Sequence, residues 1–165
     1  MRQALACTPD RTGVVAPPFK AVLLYEDVAT RMKAKQISGS AINRLGPVCT
    51  FNTALWSITQ TAIASLTEWS ASDSTDADIA IISLRNGHGL SSSLRMWVNQ
   101  WITRKKGTRA AMVVLFEDAG PSTDFARRHL SNTAHRAGLS FFTQTGDTEG
   151  EGNSKSQTGK ISIAV

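Results

Sequence analysis

Asp78-Ile-Ala-Ile-Ile-Ser-Leu84, running straight into Arg85-Asn-Gly-His-Gly89, is the stretch on which the fold turns. A short block of aliphatic residues without polar alternation is what a strand covered on both faces requires. The two glycines after it let the chain turn without steric cost. Leu94, Val98, Trp101 and Ile102 then recur at helical spacing, with Trp97 reinforcing the stripe. That helix ends in Arg104 to Lys106 with Gly107 beyond them, a favourable charge and a favourable cap for a C-terminus. Ala110-Ala-Met-Val-Val-Leu-Phe116 supplies a second wholly apolar strand. Strand, helix and strand in that order, with both strands buried, make a parallel crossover unit.

The same pattern extends in both directions. Upstream, Lys20-Ala-Val-Leu-Leu-Tyr25 is another buried strand, and Ala34, Ile37, Ala41 and Leu45 mark a helix over residues 28–45 that Gly46-Pro47 stops. Residues 48–57 carry β-branched and aromatic side chains suited to a strand, and Thr59 caps a short helix striped with Ala62, Ile63, Leu66 and Trp69. Downstream, Glu117-Asp-Ala-Gly-Pro121 closes one strand, a helix is expected over residues 122–137 up to Gly138, and Leu139-Ser-Phe-Phe-Thr143 is a fifth strand. Five strands alternating with four helices predict a three-layer, doubly wound α/β domain on a parallel sheet. No helical period follows the fifth strand: residues 146–159 are rich in Gly and Ser, and Ile161-Ser-Ile-Ala-Val165 is a strand-like tail. The expected organisation is an irregular arm over 1–18, the α/β domain over 19–145, and a Gly/Ser-rich segment with a short tail over 146–165.

Composition excludes several classes. Hydrophobic residues at 41% and charged residues at 19% suit a folded globular chain rather than a disordered one. No apolar run approaches a membrane span and the start lacks a signal-peptide core, so a cytoplasmic, non-membrane protein is expected. Cys7 and Cys49 give neither a ligand spacing nor a disulfide framework. The formal charge of +5 raises the question of an anionic partner. The basic residues, however, fall in three separate stretches: Arg31, Lys33, Lys35 and Arg44; Arg104, Lys105, Lys106 and Arg109; Arg127, Arg128 and Arg136. Nucleic-acid binding, which needs a clustered face, is therefore disfavoured by the sequence.

An open parallel sheet binds ligands beyond the C-terminal ends of its strands. The residues placed there are Glu26 and Asp27, Ser57, Arg85, Asn86 and His88, Glu117 and Asp118, and Thr143 and Gln144. Glu26, Asp27 and Glu117 are the candidate ligands for a hard cation such as Mg²⁺. Acidic residues there are also what the dipole of a helix N-terminus favours. Arg85, Asn86, Gly87 and His88 are the candidate contacts for a flavin ring. No nucleophile elbow, P-loop or dinucleotide fingerprint occurs, and no catalytic residue is assigned.

Two resemblances follow from these residues. The stretch from Asp78 to Phe116 resembles flavodoxin-like flavin and quinone reductases, and Ala21-Val-Leu-Leu-Tyr-Glu-Asp27 resembles response-regulator receiver domains. Both imply a flavodoxin-like sheet in the order 2-1-3-4-5. A receiver would carry a cation on the acids after its first strand, a phosphoacceptor aspartate at the end of its third, a hydroxyl after its fourth and a lysine after its fifth. Here the third strand ends Ser83-Leu-Arg85, the fourth Phe116-Glu117 and the fifth Thr143-Gln144, which leaves a degenerate receiver. The flavodoxin likeness implies FMN, but Glu26-Asp-Val-Ala-Thr-Arg31 puts two carboxylates where phosphate would sit. The expectation is a noncatalytic regulatory or protein-interaction domain of signalling type without a bound cofactor, FMN and Mg²⁺ being the two candidates. An FMN-dependent oxidoreductase with a divergent phosphate loop is the alternative. Without a fifth helix, part of one sheet face needs a cover from Val14, Val15 and Phe19, from the tail, or from a second copy in a homodimer.

Overall fold

The computed structural model describes residues 19–45, 51–58, 76–146 and 162–163. The expected arm over 1–18, the short helix at Thr59 to Trp69, both cysteines and residues 147–159 of the Gly/Ser-rich segment lie outside the described residues. Strands β1 (Phe19–Tyr25), β2 (Phe51–Ser57), β3 (Ile79–Leu84), β4 (Ala111–Phe116), β5 (Ser140–Thr145) and β6 (Ser162–Ile163) form one sheet in the order β2-β1-β3-β4-β5-β6. Helices α1 (Val28–Leu45), α2 (Ser92–Lys105) and α3 (Pro121–Arg136) accompany them, with a short 3-10 turn at Gly87–Gly89.

The first five strands are parallel and in the expected order, so the chain has a flavodoxin-like doubly wound fold. The order follows from burial. β3 is buried at every position, as its unbroken aliphatic run predicts, and it sits in the centre between β1 and β4. Successive side chains of each strand alternate between two apolar layers. Val22, Leu24, Ala80, Ile82, Leu84, Met112, Val114, Phe116 and Phe141 face α2 and α3, while Ala21, Leu23, Ile79, Ile81 and Leu115 face α1.

The first layer is much the larger, because it takes the aromatic residues of α2. Trp97 and Trp101 are fully buried and stacked, with ring centroids 6.1 Å apart, and Trp101 Nε1 donates to the Ala77 carbonyl at 2.9 Å. Their helical spacing puts both in the core, as the sequence indicates. Gly107 (φ +79°) and Gly138 (φ +73°) both turn the chain in the left-handed region just beyond α2 and α3, where a side chain would be strained.

On the opposite side α1 packs over β1 and β3. Val113 and Phe142 belong to the part of that face over β4 and β5 and are only half-buried. No helix follows β5 among the described residues. Ser162 and Ile163 extend the sheet edge, Phe142 pairing with Ile163 and Thr143 with Ser162 in antiparallel register. None of the described helices is long and apolar enough to cross a membrane.

Candidate functional site

The C-terminal ends of β1, β3 and β4 bring Glu26, Asp27, Arg85 and Glu117 together. Asp27 is the residue on which this end of the sheet is organised. Its backbone position precedes α1, and its Oδ1 accepts from Thr30 N at 2.9 Å, the geometry of an N-cap. Thr30 reciprocates: its Oγ1 accepts from the backbone N–H of Asp27 at 2.8 Å and of Glu26 at 3.1 Å. Thr30 is fully buried, so this small network is fixed by packing as well as by hydrogen bonds.

The other carboxylate oxygen of Asp27 takes the guanidinium of Arg85, with Nη2 at 2.6 Å and Nε at 3.2 Å. Glu26 is engaged by the same residue through its backbone, Arg85 N donating to Glu26 Oε2 at 2.9 Å. Both acids after β1 are thus satisfied by the residue that follows β3. The Thr30 N–H, and after it the Arg85 guanidinium, hold Asp27 at about 2, below the ordinary 3.8. The bond to Asp27 in turn raises Arg85, with further attraction from Glu117 and Asp118.

The end of β4 is tied to the end of β3. Glu117 N donates to the carbonyls of Leu84 and Arg85 at 3.0 and 3.1 Å, and Asp118 N to Arg85 at 2.8 Å. Lys33, from the second turn of α1, reaches across the sheet end to donate Nζ to the Phe116 carbonyl at 3.2 Å. Gly146 N donates to that same carbonyl at 2.7 Å, which places the Lys33 ammonium beside the end of β5. Arg31 lies over the Tyr25 ring, its Cζ 5.6 Å from the centroid.

Three of the four residues after β3 have structural occupations. Arg85 is held as described, and Asn86 accepts from His88 N at 2.9 Å to cap the 3-10 turn. Gly87 presses against the Ser122 carbonyl at the start of α3. His88 is exposed. Ser83, at the end of β3, is fully buried, with no hydrogen-bond partner for its hydroxyl among the described residues. Solvent cannot reach it. Of the remaining candidates, Ser57 and Gln144 are half-buried at their strand ends, and Thr143 is buried on the α2/α3 side. Among the described residues no three acids, histidines or cysteines gather closely enough to hold a metal ion.

Thr30 and Lys33 are the two site residues that sequence reasoning missed. The signal for Thr30 was present, since Asp27 and Thr30 stand three apart at a helix start, a spacing at which side chain and backbone cap one another. Lys33 had no local signal, because its partner is 83 residues away.

The capping and the ion pair can be separated by substitution. Asp27→Ala is expected to cost about 1 kcal/mol in urea denaturation at pH 7 from the lost cap alone. Asp27→Asn keeps a capping oxygen and removes only the charge, so its deficit should be smaller and should depend on pH. Because the folded-state pKa of Asp27 is depressed, its charge stabilises the fold above the unfolded value of 3.8 and ceases to do so as pH falls through about 2. Wild type and Asp27→Asn should converge across that window. A gap that stays constant down to pH 2 would show that Arg85 is not the partner that matters.

Comparison of the chain with protein-family models, with curated proteins and with solved structures finds no match in any of the three.

Proposed function

We propose that this chain is a noncatalytic regulatory or protein-interaction domain on a receiver-like scaffold without a phosphoacceptor aspartate, in which Arg85 takes the place of a bound cation. One observation carries the reading: Arg85 engages both acids after β1, its guanidinium on Asp27 and its backbone N–H on Glu26. A guanidinium fixed there neutralises Asp27 permanently, where a metal would do so reversibly. Burial of Ser83 removes the hydroxyl nearest the usual acceptor position from reaction.

The same contacts weigh against the flavin alternative. The phosphate of FMN would need free backbone donors in the loop after β1. The N–H groups of Glu26, Asp27 and Thr30 are already given to Thr30 and Asp27 side chains. For the interaction role, Val28 and Met32 stand 71% and 67% exposed one helical turn apart on α1, next to the Asp27–Arg85 pair. Together with Val113 and Phe142 they offer apolar surface to a protein partner or a second copy.

The test compares wild type with Arg85→Ser in a magnesium titration followed by tryptophan fluorescence and by NMR. Wild type is expected to show no saturable response. Arg85→Ser, which frees the Asp27 carboxylate and keeps the backbone N–H on Glu26, is expected to bind with a dissociation constant on the order of 1 mM. Saturable magnesium binding by the wild type would overturn the built-in cation. Saturable micromolar quenching of FMN would overturn the noncatalytic reading in favour of the oxidoreductase.

A further inference from the structure

We infer that the end of the domain opposite the candidate site, where α2 and α3 terminate, is a docking surface for the phosphate backbone of a nucleic acid. In the sequence the basic residues are scattered over three stretches. The fold brings two of these to one place. α2 and α3 both run from the C-terminal to the N-terminal end of the sheet on the same face, and the loop after α2 meets the end of α3 through a bond from Gly107 N to the Ala137 carbonyl at 3.5 Å. Arg104, Lys106, Arg109 and Arg136 are all exposed around that junction, and none of their side chains has an ion-pair or hydrogen-bond partner among the described residues.

Nearby acids do not cancel this charge. Among the described residues, Asp76 and Asp78 are the acids at this end, and they are taken by Lys20 and Lys105: Lys20 Nζ lies 3.6 Å from Asp76 Oδ2, and Lys105 Nζ lies 3.3 Å from Asp78 Oδ1. α2 contains no acid, and the one acid of α3, Asp124, pairs with Arg127 at 3.0 Å. The helix dipole accounts for basic residues in a last turn, as for Arg104 and Arg136. It accounts for Lys106 at the C-cap as well, but not for Arg109, which lies beyond the end of α2.

A nucleic acid fits better than an acidic protein for two reasons. Three of the four cations are arginines, whose planar fork matches phosphate oxygens in pairs. Among the described residues this surface also lacks the apolar anchor on which protein interfaces depend, because their exposed large hydrophobic side chains are Val28, Met32, Leu55, Met96 and Phe125, none of which belongs to these helix ends.

The experiment measures fluorescence anisotropy of a labelled 20-nucleotide single strand and a 20-base-pair duplex against the full chain. Saturable binding is expected at 50 mM salt, weakening roughly 100-fold by 200 mM if four cations meet phosphates. Replacing Arg104, Lys106, Arg109 and Arg136 by Gln should weaken binding at 50 mM salt by at least about tenfold and flatten the salt dependence. Lys106→Glu with Arg109→Glu, which alters no helical residue, should do likewise with the circular dichroism melt unchanged. The control removes the same charge away from those helix ends, by Gln at Arg31, Lys35, Arg95 and Arg128. Equal weakening in that control, or an undiminished affinity in the four-Gln variant, would overturn the assignment. Failure to bind either nucleic acid would overturn it too, and polyglutamate binding as tight as the oligonucleotides would replace it with an acidic protein partner.

Discussion

Gly87→Ala is expected to destabilise the domain by about 3 kcal/mol or more, an effect at the upper end of what overpacking produces. A Cβ at Gly87 would be driven into the backbone of α3, meeting the carbonyl of Ser122 and, at 2.7 Å, the amide nitrogen of Thr123. Neither can step aside cheaply. Thr123 is buried and donates its hydroxyl to the Asp118 carbonyl at 2.8 Å, so moving the start of α3 also strains the link between β4 and α3. Gly146 gives the contrast. A Cβ there would meet Lys33 Nζ at 2.5 Å, the far end of a flexible side chain, with the Glu117 carbonyl next at 3.1 Å. Gly146→Ala should therefore displace the ammonium from Phe116 and cost well under half as much. Urea denaturation of both variants, with ¹H–¹⁵N spectra to follow Arg85, checks the pair. Equal losses would mean that the Gly87 turn is free to move and does not hold Arg85 in place.

The sheet could be read from the sequence and the site could not, because one is decided locally and the other by distant partners. β1, β3 and β4 are unbroken apolar runs whose burial on both faces leaves no choice of layer, and helices lie between them at the expected spacing. Trp97 and Trp101 were legible for the same local reason, since a 3.6-residue period directs both to one side. The tail was legible as strand-like but its neighbour was not, because a two-residue strand has no pattern from which register follows. The Asp27–Arg85 pair joins residues 58 apart, and nothing near either one distinguishes a side chain that turns back onto the sheet end from one that extends into solvent. Arg85 is a candidate ligand contact because it follows a central strand, and its side chain pairs with Asp27 at the end of β1, the neighbour that the strand order supplies. Clustering of Arg104, Lys106, Arg109 and Arg136 was hidden in the same way, by a topology that folds two distant helix ends against each other.

Trp101→Ala should be the other severe lesion, costing about 3–5 kcal/mol and lowering the melting temperature by about 10 °C. Two losses combine in it. Trp101 is fully buried in the larger apolar layer and stacks on Trp97, so removing the indole opens a cavity between α2 and the sheet that the rigid strands cannot collapse to fill. Its Nε1 also satisfies the Ala77 carbonyl just before β3, and Ala77 is itself buried, so water cannot easily replace the donor. Trp101→Phe separates the two. It restores most of the apolar volume and leaves the carbonyl orphaned, so a residual cost of about 1–3 kcal/mol would be the hydrogen bond's share. Ala77 precedes Asp78, whose carbonyl accepts from Ala111 N at 2.9 Å and whose N–H donates to Lys20 O at 2.7 Å. The indole therefore anchors the point at which β1, β3 and β4 come into register. Hydrogen exchange should accelerate at the starts of all three strands in Trp101→Phe while their C-terminal ends stay protected. Uniform acceleration along the strands would instead assign Trp101 a packing role alone.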